Sequence, residues 1–204
     1  IPLCASFRNR HAGESKACLK TAKYMHNFDP TLISVVMPCH NAAPFVEEAV
    51  GSVLWQSYPH VELIVVDDGS NDGSNEILQR LAARHPERIT LVFQNRIGPY
   101  AARNQALASA SGNYIAFLDA DDTWHPDALR LMHAALEAKP ADVACCGWQQ
   151  FGTALTEPKP TVPSARDAGE AVGYLMEHGP WPIHNALIRR PLIDELRGFS
   201  ERRP

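Results

Sequence analysis

The chain has 204 residues with Lys+Arg 19 against Asp+Glu 23, a formal net charge of −4. That charge gives no basic surplus for a nucleic-acid or anionic-membrane surface. An apolar fraction of 45% and a charged fraction of 21% are globular values that exclude wholesale disorder. At this length the chain holds one domain, or one domain with an arm, and can bury a core without staples.

Residues 1–30 read as a polar N-terminal arm ending at Asp29-Pro30, with no pattern that calls for regular structure. From Thr31 strand and helix alternate. Leu32 to Met37 is a β-branched run stopped by Pro38; Val46, Ala49, Val50, Val53 and Leu54 then mark one face of a helix that Pro44 suits at its entry. Val61 to Val66 is a second strand, closed by the turn cluster Asp67-Asp68-Gly69-Ser70. Ile77, Leu78, Leu81 and Ala82 form the next helix face, Ile89 to Phe93 a third strand, and the alanine-rich residues 100–110 a helix. Tyr114 to Leu118 is a fourth strand running into Asp119-Ala120-Asp121-Asp122; a helix over Ala128 to Leu136 and a strand over Val143 to Trp148 follow. Beyond Phe151 the pattern weakens: prolines mark a loop over 157–163, Gly169 to Glu177 reads as a helix and Ile183 to Ile188 as a short strand. The expected organisation is an arm over 1–30, a ligand-binding half over 31–150 and a second, partial half over 151–204.

Near-continuous apolar strands joined by helices predict an α/β fold, a mostly parallel twisted sheet covered on both faces. Open sheets of this kind bind ligands beyond the carboxyl ends of their strands. The most polar clusters stand there: Pro38-Cys39-His40-Asn41, Asp67 to Ser70 and Asp119 to Asp122. Two acidic clusters, read as lying on neighbouring strands, would repel and raise one another's pKa unless a cation intervened. Oxygen donors without His or Cys spacing favour Mg²⁺ or Mn²⁺ over Zn²⁺, and Mg²⁺ brings phosphate oxygens with it. The aspartates of the Asp67–Asp72 stretch serve equally well as turn and cap residues. Three carboxylates in four residues at Asp119–Asp122 exceed what a cap requires.

The five cysteines contain no CxxC pair, which argues for reduced, structural thiols and a cytoplasmic setting, the cytoplasmic face of the membrane included. No run reaches the ~18 apolar residues of a membrane span. The nine histidines show no HxxxH or HExxH spacing and mostly read as surface residues, while Trp148, Tyr174 and Trp181 read as core or rim aromatics with some capacity to stack on a ligand. No GxGxxG or P-loop is present. The chain starts at Ile1 without a signal-peptide pattern, as a fragment or processed chain would.

The ordered set of motifs resembles glycosyltransferase family 2, with the GT-A fold. The matching pieces are Ile33 to Asn41, Ser52 to Tyr58, Glu62 to Ser74, Asn95 to Asn104, Gly112 to Asp122 and Arg197-Gly198-Phe199. The resemblance implies inverting, metal-assisted transfer from a nucleotide diphosphate sugar, most often a UDP-sugar, to a hydroxyl acceptor such as a saccharide or lipid-linked glycan. It places Pro38, His40 and Asn41 against the base, Asp68 on the uracil N–H with Asp67 beside it, and Arg103 and Asn104 near the donor crevice. Asp119-Ala120-Asp121 matches the DxD motif, with Asp121 on Mn²⁺ or Mg²⁺, Asp119 facing ribose or metal, and Asp122 as an accessory. A bound metal would stabilise charge building on the leaving diphosphate. The general base is expected in an acidic motif after Gly198-Phe199, beyond Pro204. The resemblance therefore implies a chain that binds donor and metal and transfers little sugar. Two other readings stand beside this one: a donor-binding protein without transfer, and a phosphohydrolase of the haloacid dehalogenase type, whose DxDx[TV] motif Asp119 to Thr123 also resembles.

Overall fold

The structure is a computed structural model that describes residues 28–150, 161 and 183–200, together with the backbone of 5–7. Its elements in chain order are β1 (Ala5–Phe7), β2 (Asp29–Cys39), α1 (Val46–Leu54), β3 (Val61–Asp68), α2 (Ser74–Arg84), β4 (Ile89–Gln94) and α3 (Pro99–Ser109). They continue with β5 (Gly112–Phe117), α4 (Ala128–Ala138), β6 (Val143–Cys145), β7 (Ala186–Arg189) and α5 (Arg190–Leu196). Among the described residues these strands form one seven-stranded sheet in the order β1-β6-β7-β5-β2-β3-β4.

The parallel part is β5-β2-β3-β4, registered through Val35↔Ala116, Val35↔Leu63 and Leu63↔Ile89. Its central strands carry the buried runs read from the sequence, because helices cover both faces and no side chain alternates to solvent. One face packs Ile33, Val35, Met37, Leu63 and Val65 against Val46, Val50 and Val53 of α1, Leu78 and Leu81 of α2, and Leu129 and Met132 of α4. The other packs Val36, Ile64, Val66, Ile115 and Phe117 against Ala102, Ala106 and Leu107 of α3 and Ile193 of α5.

The sheet departs from the sequence reading on its far side. β7 pairs antiparallel with β5, β6 antiparallel with β7, and β1 antiparallel with β6. Residues 5–7 of the polar arm thus supply an edge strand; three residues are too few for periodicity to show, and their partner lies some 140 positions away. β2 begins at Asp29, ahead of the apolar run. The strand expected through Trp148 ends at Cys145, Trp148 meeting only Thr161 in an isolated bridge. The strand expected from Ile183 is a 3-10 turn over Ile183–Asn185 followed by β7. The helix expected over 169–177, Tyr174 and Trp181 lie outside the described residues.

The chain runs β2→β3→β4 to one side and then returns to place β5 on the other side of β2. The two acidic clusters, at the ends of β3 and β5, are consequently not on neighbouring strands. β2 stands between them, which separates them by about two strand spacings, roughly 10 Å. This corrects the expected head-on repulsion between the clusters. The gap between β2 and β5 is the topological switch point, where crevices open in sheets of this type.

Candidate active site at the strand ends

The loop after β2 and the loop after β3 are sewn together by short polar side chains. Asn41 adopts φ 51°, a left-handed conformation that asparagine tolerates. Its backbone N–H donates to Ser70 Oγ (3.0 Å) and its Oδ1 accepts from the Asn71 N–H (2.9 Å). Asp72 accepts from the Ala43 N–H and, through its other oxygen, from the Ser74 N–H and hydroxyl; Ser74 Oγ accepts from the Ala42 N–H. Asp72 is thus a turn residue, and Ser74's hydroxyl leads its own pull on the Asp72 pKa, which is lowered. Asp67, 3% exposed, accepts from the Ser70 N–H and hydroxyl.

Asp68, 4% exposed, holds a second loop. Its carboxylate accepts from Gln94 Nε2 (2.7 Å), the Ile97 N–H (2.8 Å) and the Gly98 N–H (2.9 Å). Burial raises its pKa, but these hydrogen bonds and the nearby His40 outweigh it and leave the carboxyl below its ordinary value. His40 Nδ1 is 2.9 Å from the Asp68 carbonyl oxygen, which fixes the ring beside the strand end. Pro38 is buried in β2 opposite Val66. Cys39, buried nearby, has its thiol pushed up to about 11 by burial and by the Asp67 charge, and is inert.

On the other side of β2, the Leu118 N–H still pairs with the Val36 carbonyl (3.1 Å), and the chain then turns over Asp119–Asp122, closed by the Asp122 N–H on the Asp119 carbonyl (3.1 Å). Ala120 is buried and Asp121 exposed. Arg103, 8% exposed, reaches from α3 to Asp119 Oδ1 at 2.5 Å. Its guanidinium lies 6.0 Å from the Tyr100 ring centroid and 5.7 Å from that of Phe199, and the two rings are themselves stacked at 5.9 Å. Asn104 clasps the Phe199 backbone, donating to its carbonyl and accepting from its N–H, both at 2.9 Å. Arg103 thereby orients Asp119, and Asn104 anchors the Gly198-Phe199 element over α3.

One residue of this site has no sequence signal. His184, in the turn before β7, places Nδ1 2.7 Å from Asp122 Oδ2. Trp124 holds that turn, donating its indole N–H to the His184 carbonyl at 2.6 Å. Asp119, Asp122 and His184 each offer a ligand atom within 4.8 Å of the others, a set that could hold a metal ion. The two carboxylates and an imidazole fit a divalent first-row cation. The group differs from the DxD expectation, which named Asp119 and Asp121. His184 lies 62 positions beyond Asp122, and only the insertion of β7 beside β5 joins them, so no spacing rule could find it.

Comparison with known proteins defines the class. The Glycosyl transferase family 2 model matches residues 34–197, and the chain belongs to that family. Over 106 residues it is 48% identical to TuaG of Bacillus subtilis (strain 168), named as a candidate teichuronic acid biosynthesis glycosyltransferase; the match covers 52% of this chain and 41% of TuaG. It is 35% identical over 120 residues to glycosyltransferase GlyG of Streptococcus pneumoniae serotype 4, covering 59% of this chain and 40% of GlyG. The mannosyltransferase PcManGT from Pyrobaculum calidifontis, solved with GDP-Man and Mn²⁺, superposes with a TM-score of 0.62 and 26% identity over 83% of this chain and 47% of that one. S. aureus TarS 1-349, solved with UDP-GlcNAc, shares the fold with a TM-score of 0.64 at 22% identity, over 81% of this chain and 47% of that one. The fold is therefore of the GT-A type. The chain spans less than half the length of these curated relatives and solved chains. Family membership replaces the phosphohydrolase reading.

Proposed function

We propose that the chain binds a nucleotide diphosphate sugar across the switch point between β3, β2 and β5 and belongs to an inverting glycosyltransferase. The observation that carries this reading is the arrangement at the strand ends. A sewn pair of loops carrying His40, Asn41, Asp67 and Asp68 stands on one side of β2, and an acidic turn with its own buried arginine stands on the other. The separation of roughly 10 Å suits a base at one end and a diphosphate at the other.

In this reading Pro38, His40 and Asn41 border the base, with Asp67 and Asp68 beside it. A UDP-sugar is the preferred donor, in line with the UDP-GlcNAc of the TarS structure, although PcManGT carries GDP-Man. Asp119 and its neighbours Ala120, Asp121 and Asp122 face the diphosphate and a divalent cation, Mn²⁺ or Mg²⁺, as PcManGT carries Mn²⁺. The cation, when bound, would offset the charge that develops on the leaving diphosphate. Arg103 keeps the Asp119 carboxylate aimed, and Asn104 fixes the Phe199 backbone against the same helix. The acceptor is a hydroxyl group of a saccharide or lipid-linked glycan. Inversion needs a proton acceptor on the face opposite the leaving group, and no described residue takes that role in this reading. No helix among the described residues is long and apolar enough to cross a membrane; a cytoplasmic setting is the reading favoured by five cysteines without a CxxC pair.

Isothermal titration with UDP, UDP-GlcNAc and GDP-mannose, each with Mn²⁺ and with EDTA, tests this reading. Metal-dependent binding of a nucleotide supports it. Silence toward all three ligands would overturn it.

A further inference from the structure

Building on the donor-site reading, we infer that His184 is a nitrogen ligand of the divalent cation. It completes, with Asp119 and Asp122, a set that prefers Mn²⁺ to Mg²⁺. Atoms bound to one ion at about 2.0–2.2 Å lie no more than about 4.4 Å apart. The three side chains already bring ligand atoms within 4.8 Å of one another, so small torsional adjustments suffice for them to share an ion. His184 Nδ1 and Asp122 Oδ2, 2.7 Å apart, stand at the spacing of adjacent ligands. Both side chains are partly withdrawn from water, at 19% and 35% exposure, which lowers the cost of replacing solvent by an ion.

The scaffold behind these atoms is fixed independently of any ion. Trp124, 8% exposed, donates its indole N–H to the His184 carbonyl and its backbone N–H to Ser52 Oγ, so one residue ties the turn before β7, the acidic turn and α1 together. The Cys146 N–H donates to the Asn185 carbonyl (2.9 Å) and holds the same turn from β6. Arg103 occupies one oxygen of Asp119 and leaves the other for the ion. Asp121 is exposed and outside the cluster.

The chemistry of the set decides the cation. Mg²⁺ takes oxygen ligands and keeps much of its water, whereas Mn²⁺, though the most oxygen-loving of the first-row transition ions, accepts an imidazole beside its carboxylates more readily than Mg²⁺ does. One nitrogen donor among carboxylates and phosphate oxygens therefore biases the site toward Mn²⁺. If the ion sat on Asp121 alone, His184 would be only a hydrogen-bond partner of Asp122 and would leave metal choice unchanged.

The experiment is pulsed electron paramagnetic resonance of Mn²⁺ bound to the purified chain, with and without UDP, which detects directly bound nitrogen. Wild type and His60→Ala, a change at an exposed histidine outside the site, are expected to show imidazole nitrogen modulation, and His184→Gln to lose it while keeping its thermal melt. In competition titrations the Mn²⁺ over Mg²⁺ preference falls by about tenfold or more in His184→Gln, whereas Asp122→Asn, which removes an oxygen donor, weakens both ions. Bound Mn²⁺ without nitrogen modulation, or an unchanged metal preference in His184→Gln, overturns the inference. A nitrogen signal in a chain indifferent to nucleotides upholds it and refutes the donor reading. UDP binding without the signal does the reverse.

Discussion

Single residues decide how closely the loops approach. Gly112 opens β5 where an added Cβ would lie 2.5 Å from the Leu32 carbonyl oxygen, a backbone atom that cannot step aside. Gly112→Ala is expected to destabilise the chain by about 2–4 kcal/mol in urea unfolding. Gly198 has φ +74°, and a Cβ there would stand 2.7 Å from Asn104 Oδ1, so Gly198→Ala strains the backbone and breaks the Phe199 clasp together. About 1–3 kcal/mol is expected, with a smaller added loss in the Asn104→Ala background because the two changes share one contact. Asp68→Asn, whose amide nitrogen replaces one acceptor oxygen and must face either the Gly98 N–H or the Ile97 N–H with Gln94 Nε2, is expected to cost about 1–3 kcal/mol. The folded pKa of Asp68 is lowered from 3.8, so its contribution is complete above that pH and fades as pH falls toward the folded value. The stability gap between wild type and Asp68→Asn should therefore close in acid-unfolding curves below about pH 4. At this scale the sequence disclosed which side chains gather at strand ends. It did not disclose their obligations: Asp72 proved a turn acceptor, and Asp68 proved a loop staple whatever else it meets.

Between elements, buried polar side chains replace helix caps. α4 has no side-chain cap from its own N-cap residue, Asp127. Instead Gln56, 8% exposed and just past α1, accepts from the Leu129 N–H (3.0 Å) and donates to the Ser52 and His125 carbonyls (3.0 and 2.9 Å). Gln56→Ala removes the side-chain acceptor of the buried Leu129 N–H and one of the two donors to the His125 carbonyl. It is expected to cost about 2–3 kcal/mol by chemical denaturation and to loosen the loop that carries the acidic turn. The helices and the central strands were legible because their periodicities, 3.6 and a continuous apolar run, survive burial on one or both faces. β1 was not legible, and β7 only in part, the strand read over Ile183 to Ile188 beginning at Ala186. Their three and four residues are defined by pairing with distant partners, Cys145 for Ala5 and Ala116 for Leu187, rather than by any pattern of their own.

The molecule as a whole is organised around one strand. β2 is first in the parallel set and lies between β5 and β3, which puts the ends of those two strands on opposite sides of it. The alternation of strands and helices fixed the parallel core in advance. Strand order is not a local property, and the reading of the two acidic clusters as neighbours failed on that point. Strand order also explains why nothing in the sequence joined His184 to Asp122, since an antiparallel β7 inserted beside β5 brings them together. The central claim is that the turn at the end of β5 holds a cation that holds a diphosphate. The most direct measurement is calorimetry of UDP binding in excess Mn²⁺, repeated in EDTA and with the Asp119→Ala chain. The account predicts one nucleotide per chain in Mn²⁺ and affinity lost in both controls. Equal affinity in Mn²⁺, in EDTA and in Asp119→Ala would contradict it.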